Sequence, residues 1–362
     1  MSQPQAATPV KRDPVDALWL ADELETLGAC PICGSSERTL AYENKRDRVF
    51  FCAPGAWTAW TCAACHVAYL DPRPTPQSIH AAYASYYTHG APSLSFTGRL
   101  LAKLQIGIRH SHLKRHLHYR LPGALPLGWL VYKIMASQAI VTNHTIRHLP
   151  PTRPGQNRLL DIGCGDGDFL IIARDIGFNV EGLEVDPISR AVAHKAGLTV
   201  HPGPFPGSIL QPSSYDHITM SHVLEHFHDP VAALHDALKL LKPGGRIWVK
   251  VPNLAALSHR YFKQNAFLLD PPRHLVMFDG ASLAALLSKV GFTGVTTLPP
   301  SLLDQKNFYG GGWMISQGFD PMSASPLNVP SSVKADVLKT YSQATEFFND
   351  AEVVTIIATK PV

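Results

Sequence analysis

The stretch RLLDIGCGDGDFL, residues 158–170, decides how this chain is read. Leu159, Leu160 and Ile162 form a short apolar run closed by glycine, the pattern of a buried strand. Gly163, Gly165 and Gly167 follow at every second position, and DGDFLIIARDIG then shows helical spacing ended by Gly177. A strand that passes through a glycine turn into a helix is where α/β sheets seat nucleotide-like ligands. Glycine there permits positive φ and lets a ligand approach bare backbone.

Residue types and charge separate the candidate ligands. A P-loop needs Lys-Ser or Lys-Thr after the glycines, and neither is present. A dinucleotide fingerprint wants glycine at position 168, where Asp168 stands. Asp161, Asp166 and Asp168 would also repel a pyrophosphate at the helix start. S-adenosylmethionine has no phosphate and carries two cationic groups. At ~4 Å and an effective dielectric of ~20, a carboxylate–cation contact is of order 4 kcal/mol before desolvation. The sign of the charge favours the methyl donor over NAD.

Downstream, strands and helices alternate: NVEGLEVD, PISRAVAHKAG, YDHITMSHV, DPVAALHDALKLLKPGG, RIWVKVPN, DGASLAALLSKVGF and finally EVVTIIATK. Asp186 and Asp229 read as N-caps, the second followed by Pro230 at the first helical position. This alternation implies an α/β fold, a mostly parallel sheet with helices on both faces. Glu184 closes the second strand about twenty residues after the glycines, the place of an acid that holds ribose hydroxyls.

LLDIGCGDGDFL, VEGLEVD, YDHITMSHVLEH and LKPGGRIWVKVPN, in this order, resemble the motifs of class I S-adenosylmethionine-dependent methyltransferases. The resemblance runs from about 158 to 296 and resumes in the last strand. It implies a Rossmann-like seven-stranded sheet, with Asp161 and Gly163 at the methionine side of the donor, Gly165 and Gly167 also against the donor, Glu184 on the ribose, and Ser221 and His222 near the donor. The family's acid after the third strand is absent from VHPGPFPGS, which leaves Pro204 and Phe205 for the adenine.

CPIC at 30–33 and TCAAC at 61–65 give two C-x-x-C pairs, Cys30 with Cys33 and Cys62 with Cys65. Two thiolates from each pair suit one tetrahedral ion, so the pattern reads as a Cys₄ zinc ribbon. Four protein ligands leave no open position, which makes such a zinc structural. Cys52 and Cys164 read as packing residues. CPICGS…CAACHVAYLDPRPTPQSIHAAYASYY resembles the zinc-binding start of bacterial methyltransferases of sugar and polysaccharide biosynthesis. That likeness implies a sugar or glycan-precursor acceptor, and a lipid- or nucleotide-linked one would suit the basic block described below. Carbon methyltransferases of that group carry a longer C-terminal region than the residues after Pro300 here, so O- and C-methylation both stay open.

A hydroxyl or acidic carbon needs a base to take its proton. SHVLEHFHD follows the fourth strand at the donor edge of the sheet and crowds His222, Glu225, His226 and His228. The related sugar enzymes use a Glu-His pair here, which matches Glu225 and His226. His226 is the expected base, with Glu225 setting its tautomer or position and His222 nearby. LLDPPRHLVMF is the second constellation, and it resembles the PPRH region of these enzymes. Its Arg273 and His274 are expected to hold acceptor hydroxyls or phosphate.

The net charge of +4 is unevenly spread: Pro72–Leu160 holds eleven Lys and Arg and no Asp or Glu, so the rest of the chain sums to −7. Residues 99–120 alone carry six Lys or Arg and four His at helical spacing. ALPLGWLVYKIMASQAIV is apolar but broken by Pro126, Gly128 and Lys133, which argues against a spanning helix. The block reads as a basic helical cap over the site or a helix lying on a membrane. A rival reading gives the ribbon and the basic helices to RNA or protein, but the interleaved aromatics of a stacking platform are lacking.

The expected organisation is a flexible tail (1–14), a zinc-ribbon module (15–90) opened by a short amphipathic helix over 15–27, a basic helical cap or linker (91–150) and a methyltransferase domain (151–362). PPTRPGQN is the hinge between the last two. No charged segment followed by an apolar one opens the chain, so a cytoplasmic enzyme is expected, peripheral at the inner membrane face in the reading that lays the basic helix on a membrane. Methylation of another small metabolite is the second enzymatic reading.

Overall fold

The computed structural model describes residues 19–83, 96–116, 118–119, 121, 123–134, 136–152, 157–207, 209–322, 330–332, 335 and 347–362. The expected tail and the middle of the expected hinge, 153–156, lie outside these residues.

The helix expected over 15–27 is replaced, from Trp19 onward, by a 3₁₀ turn, Ala21–Glu23, and a two-residue strand, β1 (Leu24–Glu25). The ribbon strands follow: β2 (Arg38–Lys45), β3 (Trp57–Cys62), β4 (Ala68–Leu70) and β5 (Arg73–Pro74). Tertiary pairing overrides helical periodicity here. Leu24 and Glu25 pair antiparallel with Pro74 and Arg73. The Glu25 carboxylate accepts from Arg73 Nε at 2.7 Å, and Asp71 accepts the backbone N–H of Leu27 at 2.9 Å.

Past β5, the described residues of the acid-free block are mostly helical, as read from the sequence: α1 (Phe96–His116), α2 (Leu130–Ile134) and α3 (Ala136–Thr145). The alternating region then runs β6 (Arg158–Ile162), α4 (Asp168–Asp175), β7 (Asn179–Glu184), α5 (Pro187–Lys195), β8 (Thr199–Pro202), β9 (Tyr215–Ser221), α6 (Pro230–Leu240) and β10 (Leu241–Pro252). After these come α7 (Leu257–Phe262), β11 (Val276–Met277), α8 (Gly280–Val290), β12 (Thr293–Thr297), α9 (Leu302–Ser316), α10 (Phe347–Asp350) and β13 (Val353–Thr359). The expected caps are present. Asp186 accepts from Ile188 and Ser189, and Asp229 from Ala232 at 2.8 Å.

Seven strands form one sheet in the order β12-β13-β10-β9-β6-β7-β8. Five are parallel neighbours, while β13 runs antiparallel to both β10 and β12. This is the Rossmann-like α/β sheet expected from the alternation. The order reverses at β6, which lies between β7 and β9, so its carboxyl end opens on the crevice where such sheets bind ligands. The glycine turn sits there.

The ribbon is joined to this domain through a second sheet, ordered β11-β4-β3-β2. β11 comes from the far side of the sequence and pairs Val276 with Tyr69 and Met277 with Ala68. One apolar core runs from Trp57, Val67 and Tyr69 of the ribbon to Ile218, Val249 and Phe278 of the domain. A second cluster packs Leu113 of α1 and Tyr119 against Phe169 and Leu170 of α4. Among the described residues, no helix is long and apolar enough to cross a membrane.

Candidate active site

The glycine turn divides its labour unevenly. All three glycines have positive φ, at 68°, 56° and 90°. A Cβ on Gly163 would lie 2.5 Å from Val223 Cγ2, and one on Gly167 would lie 2.3 Å from Leu198 Cδ1. These two are glycine because protein packs against them. Gly165 has nothing within 4 Å of a built Cβ, so it is the one whose face is open to a ligand. Cys164, between them, is buried against Gly182, in keeping with a packing role.

Glu184 ends β7 beside this turn. Its Oε2 accepts the Gly165 N–H and its Oε1 the Asp186 N–H, each at 2.9 Å. The carboxylate therefore ties the open glycine to the end of the neighbouring strand.

Asp161 lies deeper than its motif position suggests. It is buried in β6, and its Oδ1 accepts from Thr219 Oγ1 at 2.7 Å and from Arg147. Burial pushes its carboxyl above the usual range, against the pull of Arg147 and Thr219. The other oxygen, Oδ2, has no hydrogen-bond partner. Arg147 also lies over the Phe169 ring, 3.7 Å from its centroid. This arginine was not among the expected site residues. The signal was faint: a cation at the end of an acid-free block that had to find a carboxylate somewhere.

Ser221 is the last residue of β9, in register with Lys250 of β10. His222 follows with a left-handed φ of 55°, and its N–H donates to Lys250 O at 2.8 Å. Val223 then turns the chain into a single 3₁₀ turn, Leu224–His226. That turn points Glu225 and His226 into one cluster with His274. One ligand-type atom from each of the three lies within 4.8 Å of the others.

Glu225 is buried, and neither of its oxygens has a hydrogen-bond donor. His222 Nδ1 stands 3.5 Å and His274 Nε2 4.0 Å from Oε1, within ion-pair reach but beyond a good hydrogen bond. Burial resists ionisation, yet the surrounding imidazoles hold the Glu225 carboxyl below its ordinary value.

His226 Nδ1 lies 2.9 Å from Arg273 O and 3.1 Å from the Tyr83 hydroxyl. A carbonyl can only accept, so Nδ1 carries the proton and Nε2 the lone pair. The tautomer is thus set by the Arg273 carbonyl and not, as expected, by Glu225. Burial lowers the His226 pKa below the usual histidine value, which keeps the ring neutral. His274 is fixed in the same way, with Nδ1 2.9 Å from Leu268 O. Its ring centroid is 4.8 Å from that of His226, so it joins the cluster and is not a separate loop contact. His228 bonds Pro74 O at 2.9 Å and braces β5.

Arg273 does not face an acceptor. Its guanidinium is fully buried and bonded to both oxygens of Asp47, to Asp270 and to Ala82 O. The expectation of substrate binding by this side chain is corrected: no donor is left for a ligand. Phe205, expected near the adenine, is buried and packs on Phe227 with ring centroids 5.9 Å apart.

Residues 135–297 match the family model described as a methyltransferase domain. These residues thus read as a methyltransferase domain. The ubiquinone biosynthesis O-methyltransferase of Burkholderia vietnamiensis is 31% identical over 111 residues, 29% of this chain and 48% of that one. The protein of the same name from Colwellia psychrerythraea is 27% identical over 109 residues, 28% and 44% of the two chains. The chain spans about half the length of these relatives. Among solved structures, a methyltransferase of Archaeoglobus fulgidus is 19% identical, with a TM-score of 0.41 over 63% of this chain and 94% of that one. An N-methyltransferase of Haemonchus contortus, in complex with S-adenosylhomocysteine, is 18% identical, with a TM-score of 0.45 over 81% and 62%.

Ahead of the methyltransferase domain, the four cysteines converge as their spacing predicts. Cys30 and Cys65 Sγ are 3.5 Å apart, as are Cys33 and Cys62. Sulfur at about 2.3 Å from a tetrahedral zinc gives edges of about 3.8 Å, so the set fits the ion. Burial pushes the thiols of Cys30, to about 11, and Cys65 up, whereas N–H donors of Cys65 and Ala64 outweigh it at Cys62 and bring that thiol down to about 7. Cys52 stays apart, buried beside Arg273.

Proposed function

We propose that the chain transfers the methyl group of S-adenosylmethionine to an oxygen or carbon of a sugar or glycan precursor, with His226 as general base. The observation that carries this reading is the neutral His226 ring. Its proton sits on Nδ1, which donates to Arg273 O, and this leaves the lone pair on Nε2, with buried Glu225 in the same cluster. In the reaction, the acceptor attacks the methyl carbon as the carbon–sulfur bond breaks. S-adenosylhomocysteine leaves, and the acceptor's proton passes to Nε2. The Glu225 carboxylate stabilises the imidazolium that results. Asp161, Gly165, Glu184 and Ser221 frame the donor side, where carboxylates and backbone N–H groups suit a cation with a carboxylate tail. His222 and His274 bound the acceptor side. Zinc in the four-cysteine cluster supplies structure alone.

The sugar assignment rests on the likeness of the ribbon to sugar-pathway enzymes. A second reading, methylation of a hydroxyl on another small metabolite, is favoured by the relatives named for ubiquinone biosynthesis. Labelled methyl donor offered with sugar phosphates, nucleotide sugars and catechol-type phenols separates the two. Label on the sugars supports the first reading, and label confined to the phenols supports the second. Failure to bind S-adenosylhomocysteine at all would sink both.

A further inference from the structure

We propose that α1 and the segment 123–134 form a docking surface for an anionic lipid membrane. This inference stands apart from the identity of the acceptor. Residues 96–134 carry seven Lys and Arg and not one acid, so neither element supplies a counter-charge of its own. The fold concentrates that imbalance. Segment 123–134 doubles back on α1: Leu125 N–H donates to Gly107 O and Trp129 N–H to Ser111 Oγ, each at 3.0 Å. Trp129 is thereby set between two cations, with Arg115 at 5.0 Å and Lys133 at 5.1 Å from its ring centroid.

Large aliphatic side chains on the same two elements are left in water. Leu104 is 49% exposed, Leu127 64% and Leu130 39%. Lys103, Lys114, Arg115 and Lys133 are exposed among them. The opposite face of α1 is committed to the interior, where Leu113 is fully buried against the α4 cluster. The outward face is therefore fixed and cannot turn in to hide its leucines.

Aliphatic groups, one indole and a rim of cations match the boundary of a bilayer. The indole sits at headgroup depth, the leucines reach the acyl boundary and the cations meet lipid phosphates. A nucleic acid would use the cations but leave the exposed leucines in water. No spanning is implied, since no described helix could cross.

The test is flotation of the full chain with vesicles of phosphatidylcholine, with and without phosphatidylglycerol, beside a separate measurement of S-adenosylhomocysteine binding. We expect flotation with the anionic vesicles only, weakened by salt. Lys133→Ala and Arg115→Ala should each cost about fivefold in partitioning. Leu127→Ser with Leu130→Ser should abolish it while nucleoside binding stays intact. Equal partitioning to neutral and anionic vesicles would overturn the proposal, and so would no flotation, or binding to generic RNA that the leucine variants leave unchanged. Loss of methyl transfer with flotation preserved would overturn the catalytic reading alone.

Discussion

Arg273 and Asp47, 226 residues apart, meet as a buried two-point pair: Nη2 to Oδ1 at 2.8 Å and Nη1 to Oδ2 at 3.1 Å. Asp47 also accepts four backbone N–H groups, from Val49, Phe50, Cys52 and Ala53. The pair nails the ribbon to the loop whose carbonyl orients His226. Removing one partner strands a buried charge, which typically costs about 3–5 kcal/mol. Arg273→Met or Asp47→Ala should therefore lower the urea midpoint strongly. Stability unchanged in both variants would refute the buried-pair assignment.

His226→Ala should lower kcat by about 10²–10⁴, the usual range for a lost general base, with little change in donor affinity. Glu225→Gln should also slow turnover, because the imidazolium formed on proton transfer then lacks its counter-charge. With the His226 pKa lowered by burial, the acid limb of the rate profile should fall below the ordinary histidine range. Turnover of both variants near the parent rate would remove the pair from the chemistry.

The three glycines should separate by assay. Gly165→Ala adds strain at a φ of 56° but no clash, so it should fold with a loss of about 1–2 kcal/mol. Its methyl group would stand where the donor approaches, so S-adenosylhomocysteine affinity should drop more than stability does. Gly163→Ala and Gly167→Ala instead meet Val223 and Leu198 and should lower the melting temperature further. Calorimetric titration together with thermal unfolding distinguishes these patterns.

Elemental analysis should find one zinc per chain, and Cys62→Ser should lose it. Chelation should lower the melting temperature, because the ribbon's β4 is the strand to which β11 pairs. Full retention of folding and no bound metal would leave the cysteines as packed thiols.

Acid should destabilise the protein through buried histidines that remain neutral. Burial, with Arg246 beside His217 and Lys45 and His274 beside His259, brings both down to about 4. In the unfolded chain each titrates near 6.5. Between these values the unfolded state holds more protons, so stability is fully present above about pH 6.5 and is lost as pH falls towards 4. Denaturation at pH 5 against pH 7 should show a loss on the order of 2 kcal/mol per histidine. A flat profile would contradict the burial of both rings in neutral form.

Much of the fold was legible in the chain. The apolar runs, Asp186 and Asp229 as caps and the two cysteine pairs are local signals, and local physics decides them. The glycine turn and Glu184 follow from one strand–helix junction and its neighbour. What escaped reading depends on chain closure. That Arg147 would reach Asp161, or Arg273 would reach Asp47 instead of solvent, is set by topology and leaves little trace in nearby residues. The helix expected near residue 20 failed for the same reason, since a strand at 73–74 claimed its backbone. His274 was flagged by its neighbours, but its place beside Glu225 shows only in the folded loop.

The strand β11 has a practical consequence for anyone cutting this protein. Val276 and Met277 complete a sheet begun some two hundred residues earlier, at Tyr69 and Ala68. A truncated chain that starts at Arg158 would keep the catalytic half but bare that strand edge and leave Asp270 and Arg273 without Asp47. Such a fragment should stick to its own kind, so expression and crystallisation trials are best run with the ribbon left in place.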